Sequence, residues 1–169
     1  HQPSPWINDY AAFSLMAVTG DLKFSEDDRA SWFSHKSEVA QANYYSVYLA
    51  DYDVLVEVTP SDRAAIFRFT FPENEHSYIL LDAFFKGSAL KILEEQHKIT
   101  GYCRNNSGGV PDNFHNYFVA EFDRDFEMHH TWNGKKLAEN SSFSEGEHTG
   151  AIVGFNTQRG QQIVVKVAS

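Results

Sequence analysis

The chain has 169 residues, with 14 Lys and Arg against 23 Asp and Glu and a formal net charge of −9. Its long-range field therefore repels phosphate backbones and anionic lipid, which disfavours nucleic acid and membrane surfaces as partners. Hydrophobic residues at 42% and charged residues at 22% exclude a disordered, collagenous or coiled-coil chain, and the length suits one domain with its own core.

Aromatic residues at 15% favour pleated, half-buried surfaces and lean the composition to β. In chain order, only 25–33 reads as helical, for a turn or two, with Ser25 as the cap and Asp28 at N3. Tyr45, Val47 and Leu49 then alternate with Tyr44, Ser46 and Tyr48, the period-two pattern of a strand. Asp51-Tyr52-Asp53 turns the chain into Val54, Val56 and Val58, and Pro60-Ser61-Asp62 turns it again into Ala65, Phe67, Phe69 and Phe71. Further strands are predicted over 77–84, 90–93 and 98–104, the last two flanking the hairpin 94–97, and over 117–122 leading towards Met128. Asn133-Gly134 is a hairpin turn signal, and 151–156 and 162–167 bracket a turn at 157–161. About nine or ten short strands predict an all-β, antiparallel sandwich. The segments 105–113 and 139–148 read as long irregular loops.

The carboxylate pairs Asp51/Asp53, Glu94/Glu95 and Asp123/Asp125 and the run Glu26-Asp27-Asp28 all fall at turns or strand ends, where solvation explains them without catalysis. His129-His130 is a doublet on a strand, so its rings point to opposite faces and do not chelate together. The one cysteine, Cys103, forms no intrachain disulfide, and no Cys or His spacing suits zinc. No nucleophile elbow, phosphate loop or H-E-x-x-H helix is present. No apolar run approaches the roughly 20 residues that span a bilayer. The start is different. His1-Gln2-Pro3-Ser4-Pro5-Trp6-Ile7-Asn8-Asp9-Tyr10 combines a rigid, proline-bearing loop with an indole and several hydrogen-bonding groups. An indole stacks on the apolar face of a pyranose while His, Gln, Asn and Asp bond hydroxyls, and the competing reading places Trp6 in the core.

That opening segment resembles the H-Q-P-S-P-W-x-x-D-Y block of glycoside hydrolase family 92, the calcium-dependent exo-α-mannosidases. In order after it, Ser34-His35-Lys36-Ser37-Glu38, Tyr44-Tyr45-Ser46-Val47-Tyr48-Leu49, Asp62-Arg63-Ala64 and Arg68-Phe69-Thr70-Phe71-Pro72 are similar to further blocks of that family. Gly101-Tyr102, Asn106-Ser107-Gly108-Gly109 and 117–122 extend the resemblance over nearly the whole chain. The departures are Asn8 before Asp9, Ala11, and Ala42-Asn43 before the tyrosines.

The resemblance implies a supersandwich of galactose-mutarotase-like type, cut at both ends, that forms the amino-terminal domain 1–169 of a larger enzyme. It implies inverting hydrolysis of terminal α-mannose on a separate (α/α)6 barrel, which holds the acid, the base and the calcium, so no catalytic or metal residue is expected in this chain. His1, Trp6 and Asp9 are implied as substrate-binding residues on one wall of the pocket, with an α-mannoside glycan and the barrel as partners and a secreted, periplasmic or cell-surface location. The other class of function is an autonomous carbohydrate-binding or interaction sandwich. A face that a further domain covers would be unusually apolar and aromatic.

Overall fold

The computed structural model describes residues 13–106 and 108–169. Their strands are β1 (Ser14–Thr19), β2 (Val39–Gln41), β3 (Tyr44–Leu49), β4 (Val54–Pro60), β5 (Ala64–Phe71), β6 (Asn74–Asp82), β7 (Ser88–Leu93), β8 (Lys98–Cys103), β9 (Asn116–Phe122), β10 (Met128–Asn133), β11 (Lys136–Glu139), β12 (Phe143–Gly146), β13 (Thr149–Thr157) and β14 (Gln161–Ala168). One short helix, α1 (Glu26–Arg29), and a 3-10 turn at Glu94–Gln96 complete the regular structure among these residues. Every strand pairing is antiparallel. A five-stranded sheet runs β1-β6-β13-β10-β11 and a nine-stranded sheet runs β12-β7-β8-β9-β14-β5-β4-β3-β2. The fold is the antiparallel β-sandwich that the alternation predicts.

Alternation sets the register because a slip of one residue would exchange the two faces of a strand. In the large sheet Val47 lies opposite Val56, Val56 opposite Phe69 and Ile163 opposite Phe69. The same inward face continues through Val165, through Phe122 and Ala120 of β9 and through Ile99 of β8, and most of it is fully buried. From the small sheet Ile79, Leu81, Ala151 and Val153 are buried to the same degree. Together these rows form the main hydrophobic cluster.

Four of the strands extend the predicted set at its margins. The polar stretch 139–148, expected as a loop, contains β12, and β2 and β11 are equally short. These three lie at sheet edges, where one flank faces solvent and period-two alternation is weak. The fourth, β1, closes the other edge of the small sheet beside β6. The helix is shorter than 25–33, but its cap is as expected. Ser25 Oγ accepts the backbone N–H of Asp28 at 3.3 Å, and Asp53, Gly134 and Gly160 take left-handed backbone angles at predicted turns.

The outer face of the nine-stranded sheet carries exposed apolar side chains. Val39, Tyr48, Ile66, Tyr117 and Phe143 are exposed, and the registers place all five on that face. The same face carries one bidentate ion pair, in which Arg68 Nε and Nη2 donate to Glu57 at 2.6 Å and the Tyr44 hydroxyl donates to the same carboxylate at 2.8 Å. The Arg68 bonds hold the Glu57 carboxyl below its ordinary range.

Candidate functional site

The residues expected to bind substrate, His1, Trp6 and Asp9, lie outside the described residues. The described chain begins at Phe13, whose ring packs on Phe118 at 4.8 Å between centroids, and Ser14 pairs with Asp82 at the end of β6. The described chain therefore enters the sandwich at the end where Asp82 lies, and a buried polar cluster is built around that residue.

Asp82 is 1% exposed. Its carboxylate accepts from Arg29 Nη2 at 2.5 Å, from the Phe84 N–H at 2.8 Å, and lies 2.7 Å from His148 Nε2. Burial pushes the Asp82 carboxyl up, but the His148 bond and the Arg29 charge outweigh it and leave the group below the usual carboxylate value. The same bond raises the His148 imidazole above its ordinary value against the opposing effect of burial, with Glu26 assisting and Arg29 opposing. The buried Asp82 carboxylate and Arg29 guanidinium are thus hydrogen-bonded as well as paired, which offsets the cost of removing both from water.

Local structure delivers each member. The capped turn α1 carries Arg29, whose Nη1 also donates to the Phe24 carbonyl at 2.8 Å and whose guanidinium lies 5.9 Å from the Trp132 ring. Asp82 ends β6, and His148 precedes β13, so strand pairing fixes both. The connection 83–87 then leaves the sheet with Phe84 at φ +60°, Lys86 at φ +71° and Gly87 at φ +99°. Phe85 stands out from it, 51% exposed, with its ring 4.1 Å from that of His148. Arg104 and Asn106 meet the same end: Arg104 N–H donates to the Gly87 carbonyl at 2.9 Å, and Lys86 Nζ donates to the Asn106 carbonyl.

Several of the carboxylates set aside as turn residues accept hydrogen bonds at the turns. Asp51 accepts the Trp32 N–H at 2.5 Å, Asp53 accepts the Tyr48 hydroxyl, and Asp123 accepts the Val164 N–H at 3.0 Å. His129 reaches Glu94 at 3.1 Å, while His130 accepts the Asn140 N–H at 3.0 Å, so the doublet is split between two faces. A shallow open depression of about 330 Å³ is lined by Leu93, Glu94, Glu95 and Gln96, at the hairpin tip remote from Asp82. In the block Ser34 to Glu38, His35 lies 2.7 Å from Glu38, which accepts the Tyr45 hydroxyl. Burial and the Glu38 bond push Tyr45 up to about 12. Among the described residues no three His, Cys, Asp or Glu side chains converge as a metal cage requires. Asp82, the most buried carboxylate of the site, has its oxygens taken by the Arg29 guanidinium, the His148 imidazole and the Phe84 N–H, so these residues do not fit a calcium ion. No helix of the described residues is long and apolar enough to cross a membrane.

The described residues form a two-sheet antiparallel sandwich with a buried polar cluster around Asp82. The chain belongs to the glycosyl hydrolase family 92 N-terminal domain family, whose model matches residues 1–169. It is similar to a family 92 inverting mannosidase from Bacteroides thetaiotaomicron, with 38% identity and a TM-score of 0.92 over 99% of this chain and 23% of that one. It is also similar to a family 92 α-mannosidase of the same organism, solved in complex with mannoimidazole. That match has 31% identity and a TM-score of 0.81, covering 92% of this chain and 23% of the other. A further family 92 glycosyl hydrolase, at 18% identity and a TM-score of 0.74, covers 93% of this chain and 23% of that chain and shares the fold. The chain thus spans about a quarter of the length of these solved structures. No curated protein matches it.

Proposed function

We propose that the chain is the non-catalytic amino-terminal domain of an inverting exo-α-mannosidase that removes terminal α-linked mannose from glycans, and that it supplies one wall of the substrate pocket. The observation that carries this reading is the family match over all 169 residues, reinforced by 38% identity to an inverting mannosidase. Acid, base and calcium belong to the remaining part of such an enzyme, and no step assigned to this chain passes through the metal. The chain's own task is to bind and orient the sugar. Trp6 stacks on the ring flanking the scissile bond, His1 exchanges a hydrogen bond with a hydroxyl, and Asp9 accepts from another. Glycan substrates put the enzyme outside the cytoplasm, secreted, periplasmic or at the cell surface.

Two measurements test this. In the full-length enzyme Trp6→Ala lowers kcat/KM for an α-mannoside about tenfold, the loss expected when a ring contact worth roughly 1 kcal/mol disappears, while the melting temperature is unchanged. Unfolding of the variant without a specific loss of activity would place the indole in the core instead. The isolated chain is expected not to hydrolyse an aryl α-mannoside with or without calcium. Turnover by a pure preparation, abolished by mutating one of its carboxylates, would overturn the non-catalytic role.

A further inference from the structure

The connection 83–87 holds two non-glycine residues, Phe84 and Lys86, in left-handed backbone conformations. Each is costly, and such strain persists only where the surroundings enforce it, most often at a working surface. Here the enforcement is visible along the whole connection. The Phe84 N–H donates to Asp82 at 2.8 Å, the Lys86 N–H to the Glu147 carboxylate at 3.2 Å, the Gly87 N–H to the Glu147 carbonyl at 3.0 Å, and the Ala83 N–H to the Thr149 carbonyl at 3.0 Å. What the strain achieves is the placement of Phe85. A relaxed turn would let a large apolar ring fold down onto the sandwich, yet this one projects at 51% exposure, with His148 4.1 Å away as its only ring neighbour among the described residues.

We propose that Phe85 packs against a sugar ring of the bound glycan, and that Asp82 is the positioning residue that holds it in place. The proposal rests on the pocket-wall reading above and extends it to residues outside the amino-terminal segment. The chemistry around Phe85 is that of a sugar site, an aromatic ring with a rim of hydrogen-bonding groups: the Glu147 carboxylate, the His148 imidazole and the Lys86–Asn106 pair. This site stands beside the start of β1, because Asp82, two positions before Phe84, pairs with Ser14. Asp82 touches no sugar. It acts through the Phe84 N–H and through His148 beside the ring, while Arg29 holds the other carboxylate oxygen.

The test uses the full-length enzyme with an α-linked mannobiose. Wild-type hydrolysis is the first requirement; its absence would sink the mannosidase reading and this inference together. Given activity, Phe85→Ala raises KM about tenfold with kcat changed less than about twofold and the melting temperature unchanged, and Phe85→Tyr, which keeps the ring, restores KM to within about twofold. Asp82→Asn raises KM in the same direction at temperatures where the variant is folded. The double variant is no worse than Phe85→Ala alone, because Asp82 acts on the sugar only through that ring. An unchanged KM in folded Phe85→Ala would overturn the inference while leaving the mannosidase reading intact. A lowered melting temperature with unchanged KM would show Phe85 packing on protein and overturn it equally.

Discussion

Asp82→Ala is expected to cost the domain about 3–5 kcal/mol, because it leaves the Arg29 guanidinium buried without its counter-charge. The geometry makes this a buried pair: the two side chains are 9% and 1% exposed at 2.5 Å. Arg29 cannot turn to solvent cheaply, since its Nη1 is tied to the Phe24 carbonyl and its plane lies near Trp132. Replacing both partners together is expected to cost less than removing Asp82 alone, as the desolvation penalty of Arg29 leaves with it. Urea unfolding of Asp82→Ala, Arg29→Met and the double variant measures this, and equal losses in all three would refute it. The network also predicts a pH profile. His148 is raised above 6.5 in the folded domain, so its contribution is full below pH 6.5 and is lost as pH rises through the raised value. Asp82 is lowered below 3.8, so its contribution is present above pH 3.8 and is lost as pH falls through the lowered value. Stability owed to the pair is therefore greatest between the two. In His148→Gln the decline on the alkaline side disappears while the acid limb persists.

Why some of this is legible in the sequence and some is not follows from the range of the interactions. Tyr45, Val47 and Leu49 announce a strand because each faces the same core two residues apart, and Ser25 with Asp28 announces a cap because the bond closes within one turn. The residues of β2, β11 and β12 announce nothing, because an edge strand is held by backbone pairing with a neighbour and needs no apolar period. The Asp82 cluster is hidden for a different reason. Arg29 and His148 stand 53 and 66 positions away from Asp82, and no local pattern marks any of the three; each reads as an ordinary charged residue beside a turn. The one signal in reach is apolar-polar conflict. Asp82 ends the run Tyr78-Ile79-Leu80-Leu81 and precedes Ala83-Phe84-Phe85, and a carboxylate set within so apolar a stretch must find a buried cation. The segment that carries the substrate-binding expectation is legible by resemblance, and the structure contributes its point of attachment beside that same aspartate.

Gly150→Ala is expected to be as disruptive to packing as Asp82→Ala is to charge. Gly150 lies opposite both Trp132 and Asp82 in the small sheet, and the Trp132 ring lies across it. A Cβ at Gly150 would meet Cζ2, Cη2 and Cε2 of the indole at 1.9, 2.1 and 2.3 Å, so the ring would have to leave. It has nowhere to go, being 1% exposed, 5.9 Å from the Phe24 ring and under the Arg29 guanidinium. Overpacking of a well-filled site costs about 1–3 kcal/mol. Expulsion of a buried indole approaches the roughly 3–5 kcal/mol of a Trp→Ala change, and displacement of Arg29 carries the damage into the Asp82 network. A loss of about 3 kcal/mol lowers the melting temperature by roughly 6–12 °C for a domain of this size. The control is Trp132→Leu, which is itself destabilising but empties the space the new methyl needs. In that background Gly150→Ala is expected to cost less than about 1 kcal/mol, a coupling that calorimetry of the four proteins reads directly. If the methyl costs as much in the Trp132→Leu background as it does beside the indole, collision with Trp132 is not the reason for glycine at position 150, and backbone twist between β10 and β13 would have to be.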